Sequence, residues 1–204
     1  MPRDFERMIS GDLYDPKKIK GKNSSKKGRS LAQKINQTSI DDYDKIVALE
    51  KELFCTEAKN IYVNPPLYVD YGYNIKIGEN FYANMDCIFL DVAPITIGNN
   101  VMFGPRVSLI TASHPLDPEV RVRGLECASA INIGDNVWLG ANVTVNPGVS
   151  IGKNTIIGSG SIVTKDIPDN VVAAGNPAKV LRKLTQEDKD YWESKEVDYH
   201  KEKI

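Results

Sequence analysis

From Ile133 to Pro168 the chain keeps a period of six. The segments IGDNVW, LGANVT, VNPGVS, IGKNTI, IGSGSI and VTKDIP align so that Ile133, Leu139, Val145, Ile151, Ile157 and Val163 form an aliphatic first column. The fifth column, Val137, Val143, Val149, Thr155, Ser161 and Ile167, is mostly small or β-branched, and glycine fills the second in four of the six. A helix would place its apolar residues every 3.6 positions, and a hairpin sandwich needs longer strands. Short β-branched strands separated by glycine, asparagine and aspartate turns satisfy the spacing instead. One aliphatic side chain per six residues cannot bury itself alone. Three strands arranged as a triangular prism, with 18-residue coils stacked on one another, bury it continuously.

The same units occur earlier as IGENFY, ANMDCI, IGNNVM and FGPRVS. Ile77 and Ile97 stand 20 residues apart rather than 18, which predicts two extra residues at a corner near 91–94. Ile97 and Ile133 are 36 apart, two coils by arithmetic, yet residues 112–130 carry no hexad. They are expected to leave one coil as an extruded loop, with the prism resuming at Ile131. Leu109 and Ser113 keep the hexad spacing, so His114 is expected to leave a coil edge as the loop begins. Upstream, SIDDYDKIVALEKELF has helical spacing, with Ser39 and Asp42 set as a capping box. The basic segment KNSSKKGRSLAQKIN leads into a shorter helix. The division expected is a helical cap over 1–60 that shields the open edge of the first coil, a prism over 61–182, and a charged tail over 183–204.

Lysine and arginine number 26 against 27 acids, a balance that argues against nucleic acid or an anionic membrane as partner. No apolar run approaches the ~20 residues of a membrane span, and MPRDFERMISGDLYDPKK has no apolar signal segment. Cys55, Cys87 and Cys127 form no disulfide framework and no C-x-x-C pair. A cytoplasmic location is the expectation. His114 and His200 are the two histidines, too few for a three-histidine zinc site, so no metal is expected.

DYGYNIKIGENFYANMDCIFLDVAPITIGNN (70–100), TASHPLDP (111–118), NVWLGANVTVNPGVSIG (136–152) and GSIVTKDIPDNVVAAGNPAKV (160–180) together resemble the maltose and galactoside O-acetyltransferases. The resemblance runs over roughly residues 8–184. DYGYN and FLDV lean toward the maltose branch. It implies a left-handed parallel β-helix, and acetyl transfer from acetyl-CoA to a hydroxyl of a maltose- or glucose-like sugar. It also implies homotrimers with sites between neighbouring prisms. Two alternatives stay open: another hydroxylated acceptor such as a galactoside or an antibiotic, and a non-catalytic β-helix scaffold.

The resemblance also assigns residues. His114, by its Ser-His-Pro setting, is the general base, because a neutral imidazole suits removal of a hydroxyl proton near neutral pH. Glu126 or a backbone carbonyl would orient its second nitrogen. Asn84 matches the asparagine beside the acceptor and the reacting carbonyl, where an oxyanion needs a donor. Asp15 and Asp70 match acceptor-binding positions. Asp91 suits either that role or a plain turn, and Val92 stands where galactoside enzymes carry a second acid. For acetyl-CoA, Trp138 would lie along the pantetheine arm, and Gly140, Ala141 and Ser159 would allow its close approach. Thr164, Lys165, Lys179 and Arg182 match positions near the nucleotide, where cations can pair with phosphate oxygens.

Overall fold

The structure, a computed structural model, describes residues 3–201. Its centre is a left-handed parallel β-helix of about six coils. The first face stacks Tyr62–Val63, Tyr82–Ala83, Met102–Phe103, Trp138–Leu139, Ile156–Ile157 and Val171–Gly175. The second stacks Leu67–Val69, Cys87–Leu90, Ser108–Ile110, Thr144–Val145 and Ile162–Val163. The third stacks Ile75–Ile77, Ile95–Ile97, Ile131–Ile133 and Ser150–Ile151. All of the aliphatic first column is buried, and so is the fifth column, including its polar members Thr155 and Ser161. In the wider early coils the aromatic rings of Phe81, Phe89 and Phe103 meet edge to face, with centroids 5.2 and 6.2 Å apart. Each fully buried aliphatic side chain contributes roughly 1.5–3 kcal/mol, so the column, not any single hydrogen bond, dominates the stability of the prism.

Coil length varies at one corner only. Ile77 to Ala83 to Phe89, and Ile133 to Leu139 to Val145, step by 6 residues, as do all equivalent positions at the first two corners. From Val69, Phe89, Leu109, Val145 and Val163 on the second face to Ile77, Ile97, Ile133, Ile151 and Ile167 on the third, the steps are 8, 8, 24, 6 and 4. The two extra residues of the Ile77–Ile97 coil therefore lie at 90–94, where the spacing predicts them.

The opposite corner, between third and first faces, is built from asparagine. Asn60, Asn80, Asn100, Asn136, Asn154 and Asn170 all have φ between +54° and +59°. Asparagine tolerates this left-handed region because its short amide bonds locally. Here each of the first five side chains also donates to the next coil's asparagine, at 2.8–3.0 Å, in an unbroken ladder ending at Asn170. At the first corner, Gly104 and Gly140 meet the next coil so closely that an added Cβ would lie 2.7 and 2.6 Å from its backbone nitrogen.

Among the described residues five α-helices surround the prism: α1 (Asp4–Ser10), α2 (Lys26–Asn36), α3 (Tyr43–Phe54), α4 (Pro118–Val122) and α5 (Gln186–Lys201). Leu31, Ala32 and Ile35 of α2 and Ile46, Leu53 and Phe54 of α3 join the prism core. Two polar side chains replace the coil that is missing beyond the first one. Asn36 accepts from the Leu67 N–H and donates to its C=O, and the buried Glu50 accepts from the Val63 N–H at 3.0 Å. The α3 helix begins at Tyr43 without a capping box. Ser39 bonds the Asp41 amide instead, and Asp42 occupies the N-cap without a side-chain hydrogen bond. The first 60 residues also do two jobs. Met8 of α1 and the following Tyr14 belong to a second core with Tyr71, Val92, Ala93 and Ala128, at the variable corner rather than the coil edge.

The extruded segment has its own order. Ala112–Ser113 pairs antiparallel with Cys127–Ala128, and α4 forms the far end of the loop. Ser113 thus lies in this ribbon and not in a coil; the prism strand ends at Ile110. The ribbon returns the chain to the third face at Ile131, as predicted. After the last coil Ala178–Lys183 folds back antiparallel on Val171–Gly175, and α5 follows with no buried residue.

Candidate active site

His114 directly follows the ribbon strand Ala112–Ser113, so a two-stranded base fixes its backbone while its side chain stays exposed. It makes no hydrogen bond to any described residue. Beside it opens a cavity of about 270 Å³ at the variable corner. Its lining carries the acids Asp70 and Glu126 together with the apolar side chains of Ile19, Val92 and Ala112 and the ring of Tyr71. Ser24, Ser25 and Arg29 supply hydroxyls and a cation from the segment entering α2. Polar groups and apolar side chains in one cavity suit a ring that has hydroxyls at its rim and C–H groups on its face.

The acids differ in what holds them. Asp70 pairs with the Arg29 guanidinium. Arg29 reaches it because Gly28 lets α2 touch Tyr71: a Cβ at Gly28 would sit 2.0 Å from the Tyr71 carbonyl oxygen. Glu126 Oε2 accepts from the Tyr14 hydroxyl at 2.6 Å. Burial, then this carboxylate, pushes the Tyr14 hydroxyl far above the usual tyrosine range, and burial pushes Tyr71 up to about 12. Both stay protonated donors.

Two expected acceptor ligands make hydrogen bonds within the chain. Asp91 is fully buried; its Oδ1 accepts from the amides of Asp70 and Tyr71 at 3.0 and 2.8 Å. Burial pushes its carboxyl up to about 6, with the Tyr71 amide opposing. It is the turn aspartate that braces the enlarged corner, and it does not line the cavity. Asp15 caps the turn Pro16–Lys18 by accepting from the Lys17 N–H, and faces Lys18 at 3.6 Å.

Five of the remaining residues lie on another edge. Asn84, Gly140, Ala141 and Ser159 follow first-face strands, at the corner between first and second faces, and Trp138 lies half-exposed on the first face beside Met102. Asn84 Oδ1 accepts from the Met85 amide, while its Nδ2 is free to donate among the described residues. Ser159 Oγ accepts from the Ala141 N–H in the coil below, so this corner is smooth and tightly stacked. Thr164 and Lys165 return to the variable corner, both exposed, and Lys179 is exposed on the final hairpin. Arg182 bonds Asp188 of α5 through two hydrogen bonds of 2.6 and 2.8 Å. A single chain therefore separates His114 from Asn84 and Trp138 by one face of the prism.

Sequence reasoning missed Tyr14, Arg29 and Tyr71. Arg29 sits in a run of surface-like cations, and Tyr14 lies in an aperiodic segment whose partner is 112 residues away. The glycine before Arg29, inside a helical pattern, was the one available signal of close approach.

Residues 130–165 match the family model for the bacterial transferase hexapeptide (six repeats), and residues 7–56 match the maltose acetyltransferase hexapeptide capping motif. The galactoside O-acetyltransferase of Escherichia coli K12 is 45% identical over 166 residues, covering 81% of this chain and 82% of that protein. The solved maltose O-acetyltransferase from Clostridium difficile 630 superposes with a TM-score of 0.86 at 45% identity, over 91% of this chain and 98% of that one. A galactoside acetyltransferase solved in complex with coenzyme A gives 0.85 at 43% identity, over 93% and 94%. The chain belongs to the maltose and galactoside O-acetyltransferase family.

Proposed function

We propose that this chain transfers an acetyl group from acetyl-CoA to a sugar hydroxyl, with His114 as general base. The observation that carries the assignment is an imidazole on a rigid ribbon, unpartnered among the described residues, sharing a cavity with two carboxylates and several apolar side chains. As the hydroxyl oxygen attacks the thioester carbonyl carbon, an imidazole nitrogen takes its proton. When the C–S bond breaks, the same proton passes to the leaving thiolate, giving an O-acetyl sugar and CoA. The acceptor lies in the 270 Å³ cavity against Asp70 and Glu126. The apolar Val92 in its wall favours a glucose-like acceptor over a galactoside that would need a second acid there.

The site is completed by a neighbouring copy in a homotrimer. That copy brings its first corner to this one's variable corner, placing the free Asn84 amide at the developing oxyanion. Its Trp138 receives the pantetheine arm along the smooth edge formed by Gly140, Ala141 and Ser159. Thr164, Lys165 and Lys179 line the nucleotide end. The outward side chains support this packing: Tyr82, Met102 and Trp138 leave an exposed apolar stripe along the first face.

Thiol release from acetyl-CoA, measured across maltose, glucose, thiogalactoside and antibiotic acceptors, tests the reaction. His114→Ala is expected to lower kcat by about 10²–10⁴-fold without loss of fold. Wild-type turnover in that variant would remove His114 from the mechanism.

A further inference from the structure

Three carboxylates gather at the variable corner, and two of them have their charge answered. Asp70 faces the Arg29 guanidinium, and Asp91 accepts from two backbone amides. Glu126 makes no ion pair with any described residue, yet it lines the same cavity as His114. Its one side-chain partner is the Tyr14 hydroxyl. A neutral donor fixes a carboxylate's rotamer while leaving its negative charge in place. Tyr14 itself cannot swing away. It is 2% exposed, packs with Met8, Tyr71 and Val92, and exchanges backbone N–H and C=O hydrogen bonds of 3.0 Å with Glu126.

We infer that Tyr14 is a positioning residue of the transfer reaction: it holds Glu126 turned into the cavity, with Oε1 left to face His114. This rests on His114 being the base. When one imidazole nitrogen takes the hydroxyl proton, the ring becomes an imidazolium whose other N–H is donated to Glu126 Oε1. The carboxylate stabilises that cation until the proton passes to the CoA thiolate. Neither Tyr14 nor Glu126 gains or loses a proton, so the step balances on the histidine alone. The N-terminal segment is then part of the active site and not solely a cover for the prism.

The test is a double-mutant cycle of Tyr14→Phe and Glu126→Gln, followed by thiol release against pH, with His114→Ala as control. Removing the anion beside an imidazolium disfavours the cation, so in Glu126→Gln the acid limb of kcat/KM should move to lower pH. Tyr14→Phe keeps the ring and should lower kcat about tenfold, the size of one hydrogen bond to a charged group. It should shift the limb the same way by less, and leave KM for acetyl-CoA unchanged. The double variant should be no slower than Glu126→Gln. Additive losses, or a Tyr14→Phe effect confined to Tm with the acid limb unmoved, would overturn the positioning role while His114→Ala remained inactive. Full activity in His114→Ala would instead overturn the base assignment, and Tyr14 with it.

Discussion

Tyr14 and Glu126, 112 residues apart in sequence, are joined by three hydrogen bonds: N–H to C=O in both directions and hydroxyl to carboxylate. The pair ties the N-terminal segment to the ribbon that carries His114, and Met8 of α1 packs beneath it with no exposed surface.

Met8→Ala should therefore loosen the corner without unfolding the prism. A buried methionine truncated to alanine costs about 2–5 kcal/mol, here borne by the small second core. Hydrogen exchange should rise in residues 4–19 and 112–130 and stay slow on the three faces. Uniformly faster exchange would show that the two cores unfold as one.

Glu50 predicts a pH dependence. Burial pushes its carboxyl from 4.5 up to about 8, against a smaller opposing effect from the Val63 amide. Below the lower value both folded and unfolded chains hold the proton. Between the two the unfolded chain releases it and the folded chain does not, so stability falls as pH rises, by at most about 1.4 kcal/mol per unit. Glu50→Gln keeps an acceptor for Val63 and removes this slope. Its Tm advantage over wild type should grow from pH 5 to pH 8, and parallel Tm curves would contradict it.

The asparagine ladder can be tested at Asn136, where φ is +59° and the side chain bonds both Asn100 and Asn154. Asn136→Ala should lose about 2–3 kcal/mol, combining left-handed strain with two lost hydrogen bonds. Asn136→Gly relieves the strain and should lose less. Equal denaturation midpoints for the two would mean that the backbone conformation costs nothing there.

Arg182 and Lys179 separate by their partners. Arg182 is engaged by Asp188, whereas Lys179 makes no ion pair among the described residues. Lys179→Ala should raise KM for acetyl-CoA several-fold in low salt, and Arg182→Ala should leave it unchanged while exposing α5 to proteolysis. A larger KM change in Arg182→Ala would reverse the assignment.

The prism was legible because its driving force is periodic: every sixth residue faces one core, and no other fold buries that column. The break at His114 was legible for the same reason, as a departure from a rule. What stayed hidden lacked a period. Asp91 reads as one more turn acid until the amides of Asp70 and Tyr71 are seen to converge on it. Asn36 and Glu50 stand in helical patterns like solvent-facing polar residues, though they complete the open edge of the first coil. Arg182 resembles a phosphate ligand in sequence, and a carboxylate six residues on claims it.

The uneven corner carries a consequence for how such a chain can change. Because its steps of 8, 8, 24, 6 and 4 leave every paired register intact, this seam absorbs length as slack that the rest of the winding does not feel. New recognition segments could be spliced in at 90–94 or 164–166 as they already are at 112–130. A single added residue at the asparagine or glycine corner would instead turn the side chains of the strand that follows it inside out.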